Sequence, residues 1–448
     1  MSPINPMSPI GILNSATQDY VRQHVGDDVR QLALRGTKDP EVDLTMALQQ
    51  IQGKQTARHK LPSWAAIEGI IYPPHLNMEQ CSSEQTARYK LNLARRLMTS
   101  GDNPAPACRL ATERLQVGAS AEMGTQESSL VDLTGGFGID FTLMAQAFDE
   151  ALYVERNEAL VALVSHNLPL LGVRHARTVC CDSVATLNSL THATLIYLDP
   201  ARRDSHGGRT YAIADCTPDV LQLRDELLAK SAHVLLKLSP MLDWRKAVSD
   251  LDRQHVSEVH IVSVSNECKE LLIVLQQEAP SLTLFCVNDD QCFVVSERLQ
   301  SLEIPESPEI PESPETPETA LPPMGGKGGA TFLYEPNASV MKAGCFDELS
   351  ARFAVSQVAP NSHLFVSSEA VEGFPGKQFR IEAVTTMNKR DLRKALQGLE
   401  RADITTRNFP LSAPQLRQRL KLGEGGPAHI FATTLSDGSH VLILAKPL

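Results

Sequence analysis

Three glycines lie among apolar residues in the segment LVDLTGGFGIDF, residues 130–141. Leu130–Leu133 has the pattern of a buried strand, and the residues from Phe141 onward have that of a helix. The glycines are therefore expected at a strand-to-helix turn, where a backbone without side chains can come close to a ligand. The chemistry of the segment depends on which ligand that turn can hold.

Two phosphate-bearing ligands are disfavoured by the residues around the glycines. A P-loop needs a lysine after its last glycine, but Gly138 is followed by Ile139, which argues against a nucleoside triphosphate. In the dinucleotide fingerprint G-x-G-x-x-G/A, Gly136 and Gly138 supply the first two positions, but Phe141 occupies the third. That large side chain would hinder close packing of helix on strand and the approach of a pyrophosphate.

S-adenosylmethionine carries no phosphate, and the acidic residues of this region suit it. Asp132 stands just before the glycines, where a carboxylate can receive the ligand's ammonium group, directly or through water. Glu155 ends the next apolar run, 17 residues after Gly138, where a carboxylate can accept both ribose hydroxyls. Asp182 follows the third run and can meet the adenine amine, although an acid that precedes a helix can equally be only its N-cap.

A fourth acid, Asp199, follows the run TLIYL and opens the segment DPARRD. Parallel strands end at the same edge of a sheet, and open α/β sheets bind their ligands there. Four acids at the ends of four successive strands would therefore meet at one site. The candidate cofactor-binding residues are Asp132, Thr134, Gly135, Gly136, Gly138, Glu155 and Asp182.

The acceptor of the methyl group is less well defined. Methyl transfer from a sulfonium requires the acceptor and the methyl group to be close and aligned. Enzymes that methylate amines use a D/N-P-P-Y/F loop; Asp199 and Pro200 match its first two positions, but Ala201 and Arg202 do not match the rest. Arg202 could stack on a base, hold a phosphate together with Arg203, or pair with a neighbouring carboxylate. Asp199, Pro200 and Arg202 are the candidate catalytic residues.

Other reactive side chains give weaker signals. Cys216 could serve carbon-5 methylation as a nucleophile, but no known motif surrounds it, and a buried structural cysteine is favoured. Cys180 and Cys181 are interpreted as buried strand residues. Lys237 ends the fifth strand, and it either lines the pocket or packs its stem there with the amine in water. The histidines form no H-x-x-x-H or H-E-x-x-H pattern, so no metal is expected.

The elements that must position these residues follow from hydrophobic periodicity. Residues 1–115 have helical spacing, and one helix over Glu84–Met98 is expected to begin at a capping box formed by Ser82 and Gln85. From Leu130 onward, short apolar runs alternate with segments mostly long enough for crossover helices, which predicts a parallel sheet with helices on both faces. The runs are LVDL, ALYVE, ARTVCC, TLIYLD, HVLLKL, EVHIVSV and LLIVL.

The composition of the 448-residue chain is that of a globular protein with several cores, because 42% of its residues are hydrophobic. Its net charge of −11 gives no general attraction to nucleic acid. The nine cysteines include no C-x-x-C pair, which favours a reducing cytosol over a zinc ribbon or a disulfide framework. No signal-peptide pattern and no apolar run of about 18 residues is found, so a cytoplasmic protein without a membrane span is expected.

Two segments in the last third of the chain stand out by composition. The repeat IPESPEIPESPETPETA, within residues 302–324, has little to bury and is expected to be an extended loop inside a small α+β domain. Gly376–Leu448 holds 12 Lys and Arg against 6 Asp and Glu, a net charge of +6. Such asymmetry is typical of a nucleic-acid-binding face, and equally of a solvated domain docked on an acidic partner domain.

Taken together, these segments resemble bacterial class I S-adenosylmethionine-dependent methyltransferases that carry a ferredoxin-like domain and a THUMP-like C-terminal domain. The resemblance extends over nearly the whole chain and rests on the motifs EQCSSEQTARYK, DLTGGFGID, YVERNE, LDPARRD, YEPNASVMKAG, FPLSAPQLRQRLKL and GGPAHIFATT. It implies an α/β fold with a seven-stranded Rossmann-like catalytic domain. True THUMP domains are associated with RNA-modifying enzymes, so the resemblance also implies RNA, either tRNA or rRNA, as substrate and partner.

The resulting prediction divides the chain into four parts. They are an N-terminal helical region (1–115), a methyltransferase domain (116–280), a ferredoxin-like α+β domain with the inserted loop (281–375) and a THUMP-like α/β domain (376–448). The expected function is S-adenosylmethionine-dependent methylation of RNA, on a base or an exocyclic amine. Methylation of a protein or a small molecule remains an alternative, as does a non-catalytic module that binds the cofactor or RNA.

Overall fold

The computed structural model describes residues 13–99, 127–202, 213–298 and 331–448. The chain divides into two compact units. The first comprises Met1–Val264 and Lys269–Phe285, and the second comprises Ser265–Cys268 and Cys286–Leu448. The Pro/Glu-rich loop 302–324 and Arg203 lie outside the described residues.

The first unit begins with helices and continues with alternating strands and helices. Its described helices are α1 (Ser15–His24), α2 (Val29–Arg35), α3 (Leu44–Lys60), α4 (Pro62–Ala65), α5 (His75–Gln80), α6 (Glu84–Met98), α7 (Ile139–Met144), α8 (Glu158–Leu170), α9 (Ser183–Ser189), α10 (Val220–Lys230) and α11 (Trp244–Asp250). Its strands are β1 (Ser129–Asp132), β2 (Glu150–Glu155), β3 (Ala176–Cys180), β4 (Ala193–Leu198), β5 (Ala201–Arg202), β6 (Cys216–Thr217), β7 (Ser231–Leu238), β8 (Val256–Val264) and β9 (Glu267–Leu275). The next strand, β10 (Ser281–Asn288), runs across the division between the units.

Helix α6 joins the N-terminal helices to the rest of the first unit. It covers Glu84–Met98, as expected, but Ser83 caps it, because the Ser83 Oγ accepts the N–H of Thr86 at 3.2 Å. The expectation that Ser82 is the cap is wrong, since its hydroxyl donates to Asp140 in the interior at 2.7 Å. Helix α6 packs on α7, and the helical region is therefore part of the unit that carries the sheet.

Seven strands of the first unit lie side by side in the order β8-β9-β7-β4-β1-β2-β3. Parallel pairing joins β1 to β2 and β4, and continues outward to β3 and β7, so the carboxyl ends of these five strands meet at one edge. The prediction of a parallel sheet is wrong at β9, which is antiparallel to β7. Only Ser265 and Asn266 connect β8 to β9, and a link of two residues cannot cross over a sheet.

The second unit is built on a separate seven-stranded sheet of order β13-β14-β12-β15-β18-β17-β16. Strand β12 pairs antiparallel with β15, so one sheet runs through the segments expected as ferredoxin-like and THUMP-like. The further elements of this unit are β11 (Gln291–Arg298), β12 (Phe332–Pro336), α12 (Ala338–Ala343), α13 (Phe346–Phe353), β13 (Ser356–Gln357), β14 (Phe365–Ser367), β15 (Gly376–Thr386), α14 (Lys389–Ala395), β16 (Asp403–Arg407), α15 (Ala413–Leu420), β17 (His429–Thr434) and β18 (His440–Pro447). None of the helices that the structure describes combines the length and the apolar character needed to cross a lipid bilayer.

Candidate functional site

A cavity of about 1080 Å³ opens at the carboxyl ends of β1, β2, β3, β4 and β7 in the first unit. All seven residues expected to bind the cofactor line it, together with Asp199 and Pro200. The segment between α5 and α6 forms another part of the wall, through Cys81 and Ser82. The strand-end acids named from the sequence therefore face one common space.

The glycine turn connects β1 to α7 and borders this space. Gly136 and Gly138 have φ angles of 55° and 75°, a left-handed conformation that other residues rarely adopt. A Cβ atom on Gly136 would have no neighbour closer than 3.8 Å, whereas one on Gly135 would meet the ring of Tyr153 at 2.1 Å. Gly135 therefore serves close packing, while Gly136 leaves room for a ligand in the cavity.

Four backbone donors of the turn are used within the protein. The N–H of Thr134 donates to Asp132 Oδ1 at 2.9 Å, and that of Gly136 donates to Glu155 Oε2 at 3.0 Å. The N–H groups of the other two glycines donate to backbone carbonyl groups. At Thr134 and Gly136 a ligand consequently meets the carboxylates of Asp132 and Glu155, and not the N–H groups that could bind a phosphate.

Phe141 occupies the position that a dinucleotide fingerprint gives to a small residue. Its side chain is fully buried, and its ring lies edge-on to that of Tyr153 with the centroids 5.5 Å apart. The Tyr153 hydroxyl in turn donates to the carbonyl of Gly136 at 2.5 Å. This aromatic pair supports the turn from the protein side and fills the space that a third glycine would open.

Glu155 ends β2 and is half-buried at the cavity wall. Its Oε2 accepts the N–H of Gly136, and its Oε1 accepts the N–H of Asn157 at 2.9 Å. Each carboxylate oxygen has a second lone pair. The group can therefore hold the glycine turn and still accept hydroxyl groups from the cavity side.

Asp182 lines the cavity, but its contacts are those of a helix cap. Its Oδ1 accepts the N–H groups of Val184 and Ala185, at 2.9 and 3.2 Å, at the start of α9. The N-cap that the sequence left open is present in the structure. A contact between Asp182 and an adenine amine remains a prediction.

Asp132 is the most buried of the strand-end acids, with 1% of its surface exposed. Burial raises the pKa of its carboxyl well above the usual value, and the nearby carboxylates of Asp140, Asp199 and Glu155 add to this effect, while the N–H of Thr134 opposes it. A cation in the cavity would relieve this repulsion. The electrostatics of the site therefore favour a positively charged ligand.

Asp199 forms an ion pair with Lys237 at the cavity wall, and Asp199 Oδ2 lies 2.5 Å from Lys237 Nζ. Burial lowers the pKa of Lys237, but the carboxylates of Asp199, Asp140 and Glu270 outweigh burial and leave that pKa above its usual value. The ammonium form is thus maintained. The interpretation that the Lys237 amine lies in water is wrong, because only 12% of the side chain is exposed and the amine is paired.

A buried ionic network behind this pair was missed in the sequence. Lys90 of α6 is fully buried, and its Nζ lies 3.1 Å from Asp140 Oδ1 and contacts Glu270 Oε2. The Lys90 Nζ also donates to the Ser82 hydroxyl at 3.1 Å. The helical region therefore supplies a cation and a hydroxyl to the interior beneath the cavity.

Asp140 is the shared member of this network. Its Oδ2 accepts the hydroxyl groups of Ser82 and Tyr197 at 2.7 and 2.8 Å, and it lies 3.7 Å from Lys237 Nζ. Burial would raise the pKa of Asp140, but Lys90, Lys237 and the two hydroxyl donors lower it overall. Asp140 is therefore an ionised carboxylate that connects both lysines.

The cysteines depart from expectation in one respect. Cys180 is exposed and Cys181 is half-buried at the cavity wall, so the interpretation of both as buried strand residues is wrong. The reason is that β3 is the edge strand of its sheet, with a neighbour on one side only. Cys216 is buried, as expected, and lines the cavity. Among the described residues, no three His, Cys, Asp or Glu side chains are grouped so that they could hold a metal ion.

The remaining candidate acceptor residues follow β4 directly. Pro200 is buried at the cavity wall. Ala201 and Arg202 form β5, which pairs with β6 through Thr217 and Cys216. For Arg202 the structure describes the backbone alone, so its expected role toward a base or a phosphate remains a prediction.

Two family models match the second unit. Residues 332–375 match a ferredoxin-like domain, and residues 376–447 match a domain described as THUMP domain-like. The resemblance that the sequence motifs indicated is confirmed for these two segments. The segment that precedes residue 332 is matched by neither model.

The whole chain is similar to a solved structure described as a "putative methyltransferase from Porphyromonas gingivalis W83". The two chains share 29% sequence identity, the match covers 97% of this chain and 98% of that chain, and the TM-score is 0.75. The resemblance to methyltransferases and the expected Rossmann-like architecture are thereby confirmed. Methyltransferase function is supported at this general level.

Other solved structures are similar over less of the chain. One described as a "putative RNA methyltransferase" from Pyrococcus horikoshii has 12% identity and a TM-score of 0.32, covering 50% of this chain and 99% of that chain. One described as a "putative methyltransferase" from Streptococcus mutans, in complex with SAH, has 15% identity and a TM-score of 0.26, covering 34% and 88%. Similarities this weak carry no argument about function. A comparison with curated proteins found no match.

Proposed function

We propose that the protein is an S-adenosylmethionine-dependent methyltransferase that acts on RNA, with tRNA and rRNA as the expected classes. The cofactor assignment rests on one observation: the N–H groups of Thr134 and Gly136 donate to the carboxylates of Asp132 and Glu155. Carboxylates therefore surround the ligand space at the turn. They would repel a nucleotide phosphate, whereas they would attract a ligand that bears a sulfonium and an ammonium group.

Within this proposal, the cofactor lies against Gly136, where the backbone leaves open space. Glu155 accepts the ribose hydroxyls with the lone pairs that remain beside its two backbone bonds. Asp132 receives the ammonium group, directly or through water, and gains the cation that its buried carboxylate lacks. Asp182 faces the adenine end, where it also caps α9.

The acceptor side of the proposal is formed by Asp199 and Pro200. When bound, the cofactor supplies an electrophilic methyl group, and the task of the chain is to hold the acceptor in line with it. The carboxylate of Asp199 is half-buried in the cavity wall and can accept a hydrogen bond from a target amine. Its partner Lys237 lies on the same wall.

RNA as the substrate is supported by the charge of the THUMP-like segment. Residues 376–448 have a net charge of +6, so the rest of the chain carries about −17. Helix α14 presents four exposed cations on seven residues: Lys389, Arg390, Arg393 and Lys394. Exposed Lys and Arg side chains of this kind bind phosphates and release counterions, which is the main source of affinity for nucleic acids.

Labelled S-adenosylmethionine and total cellular RNA test the proposal. We expect the purified protein to produce S-adenosylhomocysteine and labelled RNA, and we expect RNase to remove the labelled product. Label that enters protein or small molecules would replace RNA as the acceptor class. Absence of both turnover and calorimetric binding of S-adenosylhomocysteine would overturn the cofactor assignment. Mass spectrometry of the labelled nucleosides identifies the methylated base.

A further inference from the structure

Lys237 contacts the proposed acceptor residue and the buried network at once. Its Nζ lies 2.5 Å from Asp199 Oδ2 and 3.7 Å from Asp140 Oδ2. The side chain is 12% exposed and lines the cavity from β7. No other Lys or Arg among the described residues forms an ion pair with Asp199.

The surroundings of Asp199 explain why a cation is needed there. Asp199 shares the cavity wall with Asp132, Asp140 and Glu155. Burial raises the pKa of the Asp199 carboxyl, the Lys237 ammonium group opposes this, and the nearby Asp140 carboxylate adds to it. A protonated Asp199 would be a weaker acceptor for a target amine, because hydrogen bonds to an ionised group are the stronger ones.

The position of Lys237 is itself fixed by the interior. Asp140, on the other side of its ammonium group, is held by Ser82 and Tyr197 through hydrogen bonds and by Lys90 through an ion pair. These partners are buried, so they restrict Asp140 to one arrangement. Lys237 is consequently tethered on both sides instead of moving freely in the cavity.

We propose that Lys237 is a positioning residue for Asp199, which keeps its carboxylate ionised and oriented toward the acceptor. Lys237 acts through Asp199 and takes no part in bond making. The inference rests on the proposed function, in which Asp199 receives the acceptor group. It adds that Asp199, which follows β4, needs Lys237 of β7 to hold its carboxylate in place.

The test compares Lys237→Gln, Lys237→Arg and the control Lys246→Gln. The control removes a lysine that pairs with Asp250 at 2.9 Å in the same unit, away from the cavity. With labelled S-adenosylmethionine and total RNA, we expect kcat of Lys237→Gln to fall by about 100-fold, as for a small misplacement of a reacting group. The acidic limb of the pH profile should move to higher pH, because Asp199 loses its cation. Lys237→Arg should restore part of kcat and of the profile.

A double-mutant cycle with Asp199→Asn separates positioning from a general structural role. If Lys237 acts through Asp199, then Lys237→Gln should lower kcat little further in the Asp199→Asn background. Independent, multiplying losses would overturn the proposal. So would an unchanged kcat and pH profile in Lys237→Gln, or a parallel fall of kcat, melting temperature and S-adenosylhomocysteine affinity.

A crystal structure of Lys237→Gln provides a measurement that does not depend on the acceptor. We expect the Asp199 carboxylate to adopt a different rotamer, and an unchanged rotamer would contradict the proposal. If the wild-type protein fails to methylate RNA while this rotamer changes, the proposed RNA function fails and the positioning role of Lys237 stands. If RNA is methylated and Lys237→Gln behaves like Lys246→Gln, the proposed RNA function stands and the positioning role of Lys237 fails.

Discussion

The backbone N–H of Asp199 donates to Thr134 Oγ1 at 2.6 Å, across 65 residues of sequence. Thr134 is itself held by Asp132, which accepts its N–H. The loop that follows β4 and the glycine turn that follows β1 are thus joined by direct hydrogen bonds. The candidate acceptor side and the candidate cofactor side of the cavity form one assembly.

This relationship predicts the effect of Thr134→Val. The substitution keeps the shape but removes the oxygen that accepts the Asp199 N–H, which should cost about 1–3 kcal/mol of unfolding free energy. The rate of methyl transfer should also fall, because Asp199 is no longer held in position by this bond. Urea unfolding and single-turnover methylation measure the two effects. Thr134→Ser keeps the hydroxyl and is the control; equal behaviour of the two variants would contradict the role of the bond.

Gly136→Ala should separate the demands of the turn from those of the ligand. Gly172 provides the control, because it also has a positive φ, of 81°, with no atom within 4 Å of an added Cβ. Alanine in this backbone conformation should cost about 1–2 kcal/mol of stability at either position. Only Gly136→Ala should also weaken S-adenosylhomocysteine binding in a calorimetric titration. Equal affinities for both variants would show that Gly136 serves the turn alone.

Glu155→Gln should weaken cofactor binding while the protein stays folded. The amide removes the charge that strengthens bonds to the ribose hydroxyls, and its NH2 group cannot accept one of the two backbone N–H groups that Glu155 binds. Bonds to charged groups contribute roughly 1.5–3 kcal/mol, which corresponds to about tenfold or more in affinity. Glu158→Gln is the matched control, since Glu158 is exposed on the next helix and does not line the cavity. An unchanged dissociation constant in Glu155→Gln would remove Glu155 from the site.

Asp132→Asn should stabilise the free protein at neutral pH and weaken its cofactor binding. The pKa of Asp132 is raised by burial in the folded state. Its contribution to stability is therefore fully present below the unfolded pKa and is lost as the pH rises through the folded pKa. Asparagine cannot ionise, and its Oδ1 can still accept the Thr134 N–H. Urea unfolding should show the variant to be more stable than wild type near pH 8, with the difference shrinking toward pH 4.

Stability and affinity measurements can also contradict the prediction for Asp132→Asn. If Asp132→Asn is less stable than wild type at every pH, the buried carboxylate stabilises the fold and is not maintained for a ligand. If the variant binds S-adenosylhomocysteine as well as wild type does, Asp132 does not receive the ammonium group. The predicted result is the opposite pairing, in which stability rises while affinity falls.

Replacing the four cations of α14 with Gln should weaken RNA binding. Lys389 and Arg393 are one turn apart, as are Arg390 and Lys394, and all four are exposed. Each lost phosphate contact should make the salt dependence shallower by up to about 0.7 log units for single strands. Fluorescence anisotropy with RNA at several salt concentrations measures this slope. Affinity for S-adenosylhomocysteine should not change, because the cavity lies in the other unit.

The control for this experiment removes the same number of charges elsewhere. Four exposed cations of the N-terminal helical region are suitable: Arg22, Arg30, Arg35 and Lys38. Their replacement with Gln alters the net charge equally but leaves α14 intact. An equal loss of RNA affinity in both variants would show that RNA responds to the net charge of the protein and not to α14. No loss in the α14 variant would show that RNA, if it binds, binds to another surface.

Much of the site could be predicted because it follows local patterns. Asp132, Glu155 and Asp182 each end an apolar run, and parallel strands bring such ends to one edge. The bounds of α6 likewise followed from its helical spacing. The adjacent serines at its start could not be separated by such a pattern, because Ser82 and Ser83 are chemically the same and only the interior decides which one caps.

The ionic network was missed because its members are far apart in the sequence. Lys90 and Glu270 belong to a helix and a strand whose contact no local rule indicates. One signal was present: Lys90 stands three or four positions from the buried residues Ala87, Leu93 and Ala94 of α6, where an unpaired lysine is almost never found. The antiparallel orientation of β9 has a different cause, and this one is local: the link between β8 and β9 has only two residues.

The contact between Lys90 and Glu270 also has a consequence for biosynthesis, since the two residues are 180 positions apart. At about 5–20 residues per second, the strand that carries Glu270 is made roughly 9–36 s after the lysine. Until then, helix α6 has no complete set of partners for a charge that is costly to bury. Asp140 is made earlier and can pair with Lys90 first, but the ionic network of the first unit should be complete only after β9 has emerged from the ribosome.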